Sequence, residues 1–563
     1  MLIHARSVPA HAEQALLAAG LHPVEARIYA ARGIAHADEL LTDLGRLIPF
    51  EQLMHCTQAA ERLARAIASQ TRILIVADYD ADGATACAVG VRGLRLLGAL
   101  VEFLVPNRFE FGYGLTPEIV DLAAQRQAQL IVTVDNGIAS VAGVARARDL
   151  GIEVLVTDHH LPGEQLPDAL IVNPNQAGCP FPSKALAGVG VMFYVLLALR
   201  AHLRSSGAFA GRPEPNFASL LDLVALGTVA DVAVLDGNNR ILVENGLKRM
   251  RAGRACAGIR ALFQAAGRDA RRASAFDLGF VLGPRLNAAG RLDDMSLGIA
   301  CLLSDDDAAA FAIAQELDRL NRERRAIESE MQEIAQGKLD RIEVGDCFSL
   351  TVFDEDFHQG VVGLVASRLK DRHHRPTIVF AAGQAGEIKG SGRSISGLHL
   401  RDALDLVAKR DPALIAKFGG HAAAAGLTLA DGADIERFRL LFESVCRDLL
   451  PEAALTRSVE TDGSLPLAAV QLDLAERLDA RVWGQGFPVP RFTAQFRVLN
   501  QRIVGQRHLK LKLEGEGGKT FEAMRFQHAD PLPDRINAVF QLSVNEWQGQ
   551  RSLQLLIDEC FEE

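Results

Sequence analysis

The spacing of apolar residues changes several times along the chain, and each change marks a different kind of element. Between Thr71 and about Val243, short apolar runs alternate with helical patterns. The runs are Ile73–Ala77, Leu100–Val105, Leu130–Val134, Glu153–Thr157 and Ala169–Val172. Continuous runs of this length, bounded by polar residues, read as buried strands of a parallel sheet. A helix of small residues, Ala84–Leu97, follows the first. Thr116 and Pro117 open another, as N-cap and first helical residue. Repeated β-α units of this length predict a parallel, doubly wound sheet.

The flanking patterns differ. Residues 1–70 are Ala/Leu-rich and predict a helical N-terminal extension, with one helix over about Glu51–Ser69. After Asn245 the pattern is mainly helical to about Leu303, broken by a predicted loop, Gly283–Arg291. Residues 305–340 form one long charged helix, polar enough to bridge two domains across solvent. A smaller α/β domain is expected over 341–450, with strands Phe348–Phe353 and Thr377–Ala381 around helix Val361–Arg372. It carries two Gly-rich stretches, Gly390–Ser394 and Lys417–His421. Taken alone, the first reads as an ordinary hairpin loop. Pro451 and Thr456–Ser458 read as a linker. From 459 to 563 short β runs dominate: Phe492–Val498, His508–Leu513, Val539–Val544 and Gln554–Ile557. They predict a small β-barrel. The α/β core therefore spans 71–304.

Composition narrows the class. The chain has 563 residues, 49% hydrophobic and 23% charged, which fits a soluble protein of several domains. Its formal net charge of -10 excludes a non-specific DNA coat protein, so any nucleic-acid contact must be a local basic groove. The 8 cysteines lack C-x-x-C spacing, which argues against a zinc ribbon and a disulfide framework and fits a reducing cytoplasm. The N-terminus has no signal-peptide core, and no apolar run reaches membrane-spanning length.

The chemistry gathers where the strands end. The first run delivers Asp78, Asp80 and Asp82 before Gly83. The third ends in Asp135-Asn136-Gly137, and the fourth in Asp158-His159-His160. In open α/β sheets, ligands bind at this carboxyl edge. Carboxylates so close repel one another unless cations compensate, and hard divalent ions suit oxygen ligands. One such stretch alone could be a solvated acidic turn. Three strands ending alike favour a metal site.

These segments, with Gly227-Thr-Val-Ala-Asp231, resemble in order the four motifs of the DHH phosphoesterase superfamily. Later segments are similar to its RecJ branch of single-strand-specific exonucleases. They are Gly283-Pro-Arg285-Leu-Asn287-Ala-Ala-Gly290-Arg291, His358-Gln359-Gly360, Gly390-Ser391-Gly392-Arg393-Ser394, Gly419-Gly420-His421 and His508-Leu-Lys510-Leu-Lys512. The resemblance covers nearly the whole chain. It implies a DHH catalytic domain, a linking helix, a DHH-associated domain and an OB-like barrel. It also implies a two-ion site for Mn²⁺ or Mg²⁺, held by Asp78, Asp80, Asp82, Asp135, His159 and Asp231. Asp135 would bridge the ions, and His160 would face the scissile phosphate, with Asp158 orienting its neighbours. Arg285, Asn287, Arg291, Ser391, Arg393 and His421 would hold substrate. Arg108 would meet its 5′ end, with Phe109 or Tyr113 stacking. The activity implied is 5′-to-3′ degradation of single-stranded DNA to mononucleotides, in repair and recombination. The family's partners include single-strand-binding protein and a RecQ-type helicase. Two other readings stay open: a small-phosphate hydrolase of the same superfamily, which would lack the barrel, and a non-catalytic scaffold, which would lose motif acids retained here.

Overall fold

A computed structural model describes residues 2–105, 111, 113–339, 346–383, 386–505, 507–547 and 549–561. The chain divides into two compact units. One contains residues 4–318 and 460–563, and the other contains 319–459 with the first three residues. The division falls within a single helix, Asp307–Leu339, where the long charged helix is predicted. Among the described residues, no helix is long and apolar enough to cross a membrane.

The larger unit is built on a five-stranded parallel sheet. Its strands are β1 (Ile73–Ala77), β2 (Val101–Leu104), β3 (Leu130–Val134), β4 (Glu153–Thr157) and β5 (Leu170–Val172), in the order β2-β1-β3-β4-β5. Strands β1 and β3 are buried throughout, as both faces of a doubly wound sheet require. The register pairs Ala77 with Val134, and Val134 with Thr157. Asp78, Asp135 and Asp158 therefore leave the sheet side by side.

Two stretches depart from the expected structure, and packing explains both. The predicted loop Gly283–Arg291 is a helix, Gly283–Leu292, entered through a π-helical turn, Asp277–Leu282. Its glycines and Pro284 read as breakers, but here the glycines serve close approach. A Cβ at Gly290 would lie 2.0 Å from the Tyr79 carbonyl oxygen, and one at Gly283 would lie 3.0 Å from Ala230 Cβ. In the smaller unit the predicted loop at Gly390–Ser394 is mostly a strand, Ile388–Arg393. It lies between Thr377–Ala382 and Ala424–Leu429 in a five-stranded sheet. A Cβ at Gly390 would lie 2.5 Å from the Phe380 ring, so glycine lets that buried ring sit against the strand. The core around it includes Ile378, Leu404, Phe438 and Phe442.

The C-terminal β runs close into a barrel in the order Phe492–Val504, His508–Glu514, Thr520–Arg525, Gln550–Phe561, Arg535–Trp547. Thr520–Arg525 is the strand that the hydrophobic pattern does not announce. The segment leading to the barrel packs on the N-terminal helices. Arg32 pairs with Asp462 at 2.6 Å, with both side chains 1% exposed. Arg32 also lies over the Trp483 ring, which clusters with Tyr29 and Phe487 at 5.9 and 5.2 Å. Breaking a buried pair from one side strands a charge, at a cost of about 3–5 kcal/mol. Asp462→Ala is therefore expected to lower the urea midpoint of the larger unit markedly, followed by Trp483 fluorescence. An unchanged midpoint would show that the pair contributes little.

Candidate active site

Each acid at the sheet edge is placed by local backbone chemistry. Asp80 is the N-cap of helix Ala81–Leu96, its Oδ1 accepting the amides of Asp82 and Gly83 at 3.0 Å. The helix thus begins three residues earlier than the expected Ala84, and Asp82 lies on its first turn, fully buried. The N-terminus of helix Gly188–Ser205 meets Asp82 from the other side. The Gly188 amide donates to Oδ2 at 2.7 Å and the Val189 amide to Oδ1 at 2.9 Å. These donors complement a buried carboxylate through hydrogen bonding and the helix dipole. Gly188 must be glycine, because a Cβ there would lie 2.6 Å from Asp135 Oδ1.

Asp135 follows β3 with a φ of +62°, a left-handed conformation that Asp tolerates. Asn136 ties this turn to the sheet through Val76 and Val134 carbonyls. The His159 imidazole lies among the acids. Its Nε2 is 3.1 Å from Asp135 Oδ1 and 3.9 Å from Asp82 Oδ2, and its Nδ1 is 3.9 Å from Asp231 Oδ2. Two sets of donor atoms, Asp82-His159-Asp231 and Asp135-His159-His160, each fall within 4.8 Å. Asp78 and Asp80 belong to neither set. Asp78 instead accepts the Tyr79 amide at 2.8 Å. Asp231 ends helix Leu221–Ala230, whose Gly227 has no room for a Cβ beside Thr85 and Asp82.

Asp158 orients the histidines. Its Oδ1 receives the His159 amide and lies 2.7 Å from His160 Nδ1, while its Oδ2 receives the Ile138 amide. Asn173 and Asn175 donate to the carbonyls of His160 and His159. Neither asparagine, nor the Gly188 and Val189 amides, stands out in the sequence. The one hint is the Gly-Val-Gly run opening that helix.

The electrostatics are those of acids forced together. Burial, then the charge of Asp80, raises Asp82 to about 7 and Asp78 to about 7. Burial and the charges of Asp82 and Asp80 raise Asp231 to about 9, and Asp135 is pushed well above its ordinary value of 3.8 for the same reasons. Burial alone would lower His160, but its bond to Asp158 and the charges of Asp158, Asp78 and Asp231 raise it to about 9. Asp135 Oδ1 is buried and accepts no hydrogen bond among the described residues. Converging buried carboxylates around an imidazole, their donor atoms within 4.8 Å, fit a divalent cation of the Mn²⁺ or Mg²⁺ type.

The other expected residues lie elsewhere in their units. Arg108 and Phe109 fall outside the described residues, and Tyr113 packs edge-on against Tyr79 at 5.7 Å. The Arg285 guanidinium is buried, bonded to Asp318 at 2.8 Å and to the Val281 carbonyl at 2.6 Å. Asn287 Oδ1 accepts the Ala81 amide at 2.7 Å, which holds the Asp80–Asp82 turn. Arg291 lies in the last turn of the same helix. In the smaller unit, Arg393 donates to Ser391 Oγ at 3.1 Å. Both lie against the start of helix Val362–His373, where a Cβ at Gly363 would be 3.0 Å from each. His421 is exposed, in the turn between strands Ile415–Gly420 and Ala424–Leu429, its amide bonded to the Ala424 carbonyl.

A parallel sheet whose strand ends gather aspartates around a histidine defines a DHH-type phosphoesterase. Residues 72–228 match the DHH family, N-terminal domain, 345–448 match the DHHA1 domain, and 461–559 match the RecJ OB domain. The chain is 51% identical to the single-stranded-DNA-specific exonuclease RecJ of Salmonella typhimurium, over 98% of this chain and 97% of that one. It resembles the crystal structure of Thermus thermophilus RecJ in complex with Mn²⁺, with a TM-score of 0.83 and 31% identity, covering 100% of this chain and 80% of that one. The Mg²⁺ complex from the same organism gives 0.77 and 29%, over 100% and 78%. The chain belongs to the RecJ family of single-stranded-DNA-specific exonucleases.

The raised acids set a pH dependence. Between the ordinary carboxylate value and about 9, the folded protein holds protons that the unfolded chain releases, so stability falls as pH rises. His160 acts in the same direction, because its contribution is lost as pH passes about 9. The melting temperature of chelator-treated protein is expected to drop from pH 5 to pH 9, and Mn²⁺ should flatten that slope. A flat or rising profile without metal would overturn this.

Proposed function

We propose that this chain degrades single-stranded DNA from the 5′ end to mononucleotides, with two divalent cations, Mn²⁺ or Mg²⁺, in the acid cluster. The observation that carries the reading is the convergence of buried Asp82 and Asp135 with His159 and Asp231, His159 Nε2 lying 3.1 Å from Asp135 Oδ1. Asp80, Asp82, Asp135, His159 and Asp231 are the ligands in this reading, with Asp135 shared. Bound there, such ions would supply positive charge for the phosphodiester and lower the pKa of a bound water. The chain's own residues do the rest. Asp158 fixes the His160 ring by its Nδ1 and favours its charged form, so His160 supplies a cation beside the reacting phosphate. Helix Gly283–Leu292 steadies the acid turn through Asn287 and the backbone contact at Gly290. In the smaller unit, Ser391, Arg393 and the N-terminus of helix Val362–His373 form a group suited to phosphate.

The test is direct. On single strands with Mn²⁺, a 5′ label should leave at once as mononucleotide, while a 3′ label stays on shortening strands. Duplex and chelated samples should stay intact. Release of the 3′ label first, or equal cutting of duplex, would reject the reading.

Asp135→Asn keeps the shape but removes the shared charge. Turnover should fall by several orders of magnitude while single-strand binding persists. Near-normal turnover at saturating Mn²⁺ would remove Asp135 from the bridging role. Arg393→Ala should weaken engagement of the strand by about 1.5–3 kcal/mol, the worth of a charged hydrogen bond. Lysine should restore only part of it, lacking the guanidinium fork. Unchanged kcat and KM would make Ser391 and Arg393 structural.

A further inference from the structure

Among the described residues, the exposed aromatic side chains are Tyr113, Phe276, Phe280 and Phe526. Phe276 and Phe280 touch each other. They are 59% and 66% exposed, and their rings stack at 4.9 Å with 24° between planes. A Phe side chain ordinarily buries 150–250 Å² of surface, so two exposed together leave an unusual apolar area in water. Both belong to the segment that widens into the π-helical turn Asp277–Leu282, a geometry associated with functional sites. The turn is itself well fixed. Ser274 donates twice to Asp277 Oδ2, and Leu278 and Leu282 are fully buried.

The turn is also tied to the acid cluster. Cβ atoms built at Gly279 and Gly283 would lie 3.3 Å from Val229 and 3.0 Å from Ala230, the two residues before Asp231. The Phe pair therefore rides on the helix end that presents Asp231. Val232, immediately after it, is 62% exposed with a φ of +60°, an outlying conformation for a β-branched residue. Exposed arginines precede the pair: Arg271 and Arg272, paired with Asp269 and Glu546. An apolar ring face, flanking arginines and continuity with a phosphoesterase site match the chemistry of a single-stranded nucleic acid. Its bases stack on aromatic rings while its backbone follows cations.

We infer that Phe276 and Phe280 form a base-stacking platform for the single strand on its way to the acid cluster. The inference rests on the function proposed above. It assigns the pair a role in holding the strand, apart from the acids and Asn287.

Binding of a fluorescent single-stranded oligonucleotide to the full-length protein in chelator tests it, because no turnover then intervenes. Replacing both phenylalanines by Ala should raise Kd about tenfold, the scale of losing a stacked base. Leu at both positions should be nearly as weak, since it keeps apolar area without a π face, and Tyr at both should stay near wild type. The slope of log Kd against log salt should not change, because no phosphate contact is removed. With Mn²⁺, the Ala pair should raise KM on long strands more than it lowers kcat. Wild-type affinity in the Ala pair, or Leu binding as well as Tyr, would overturn the platform. So would unchanged binding together with a change in self-association by sedimentation, which would mark a protein contact instead. If the wild-type protein itself neither binds nor cuts single strands, the function proposed above fails first.

Discussion

Several carboxylates must share a few ångströms of buried space at one edge of a sheet, and much of the larger unit is arranged to make that tolerable. The sheet register brings Asp78, Asp135 and Asp158 level. A helix N-terminus donates two amides to Asp82, and another carboxylate, Asp158, is satisfied by three backbone amides and the His160 ring. Desolvation still outweighs these donors for Asp82. The acids stay poised to hold protons or cations, and this unrelieved repulsion gives the site its affinity for positive charge. Glycines at 83, 188, 227 and 290 follow from the same constraint, because each sits where backbone must touch the acid turns or their partners.

Much of this could be read from the residues alone. Strands β1, β3 and β4 announce themselves as apolar runs, and their endings in aspartate and histidine mark one edge as chemical. What could not be read is what depends on distant partners. Gly283–Leu292 contains two glycines and a proline, so local propensity argues for a loop, whereas contact with Tyr79 and Ala230 makes it a helix. Gly390 and Gly392 look like turn residues, yet serve a strand packed on Phe380 and Leu400. Arg285 and Asn287 read alone as part of a polar loop, and the structure shows them bonded to Asp318 and Ala81, more than thirty and two hundred residues away in sequence. The amides holding Asp82 carry no residue signature, because any residue but proline offers one.

The barrel segment is tied into the folded protein: residues 460–563 share a compact unit with the parallel sheet. Leu235 donates to the Gln485 carbonyl, and Arg32 reaches Asp462 and the Pro488 carbonyl. Removing residues 460–563 would strip these contacts from Arg32 and Leu235 as well as any DNA surface. Point changes at Lys510 or Lys512 separate the two roles better than truncation.

The Arg32–Asp462 pair has a consequence in time. Its members are 430 residues apart in sequence. At roughly 5–20 residues per second, a ribosome needs about 20 to 90 seconds to make the second after the first. During that interval Tyr29 and Arg32 lack the groups that cover them, and the residues of the intervening unit, 319–459, are all made before Asp462 appears. Contacts of such high order slow folding. The nascent chain must therefore keep its N-terminal helices from other partners until the segment after residue 459 arrives, so the larger unit closes only after the residues of the smaller one have been made.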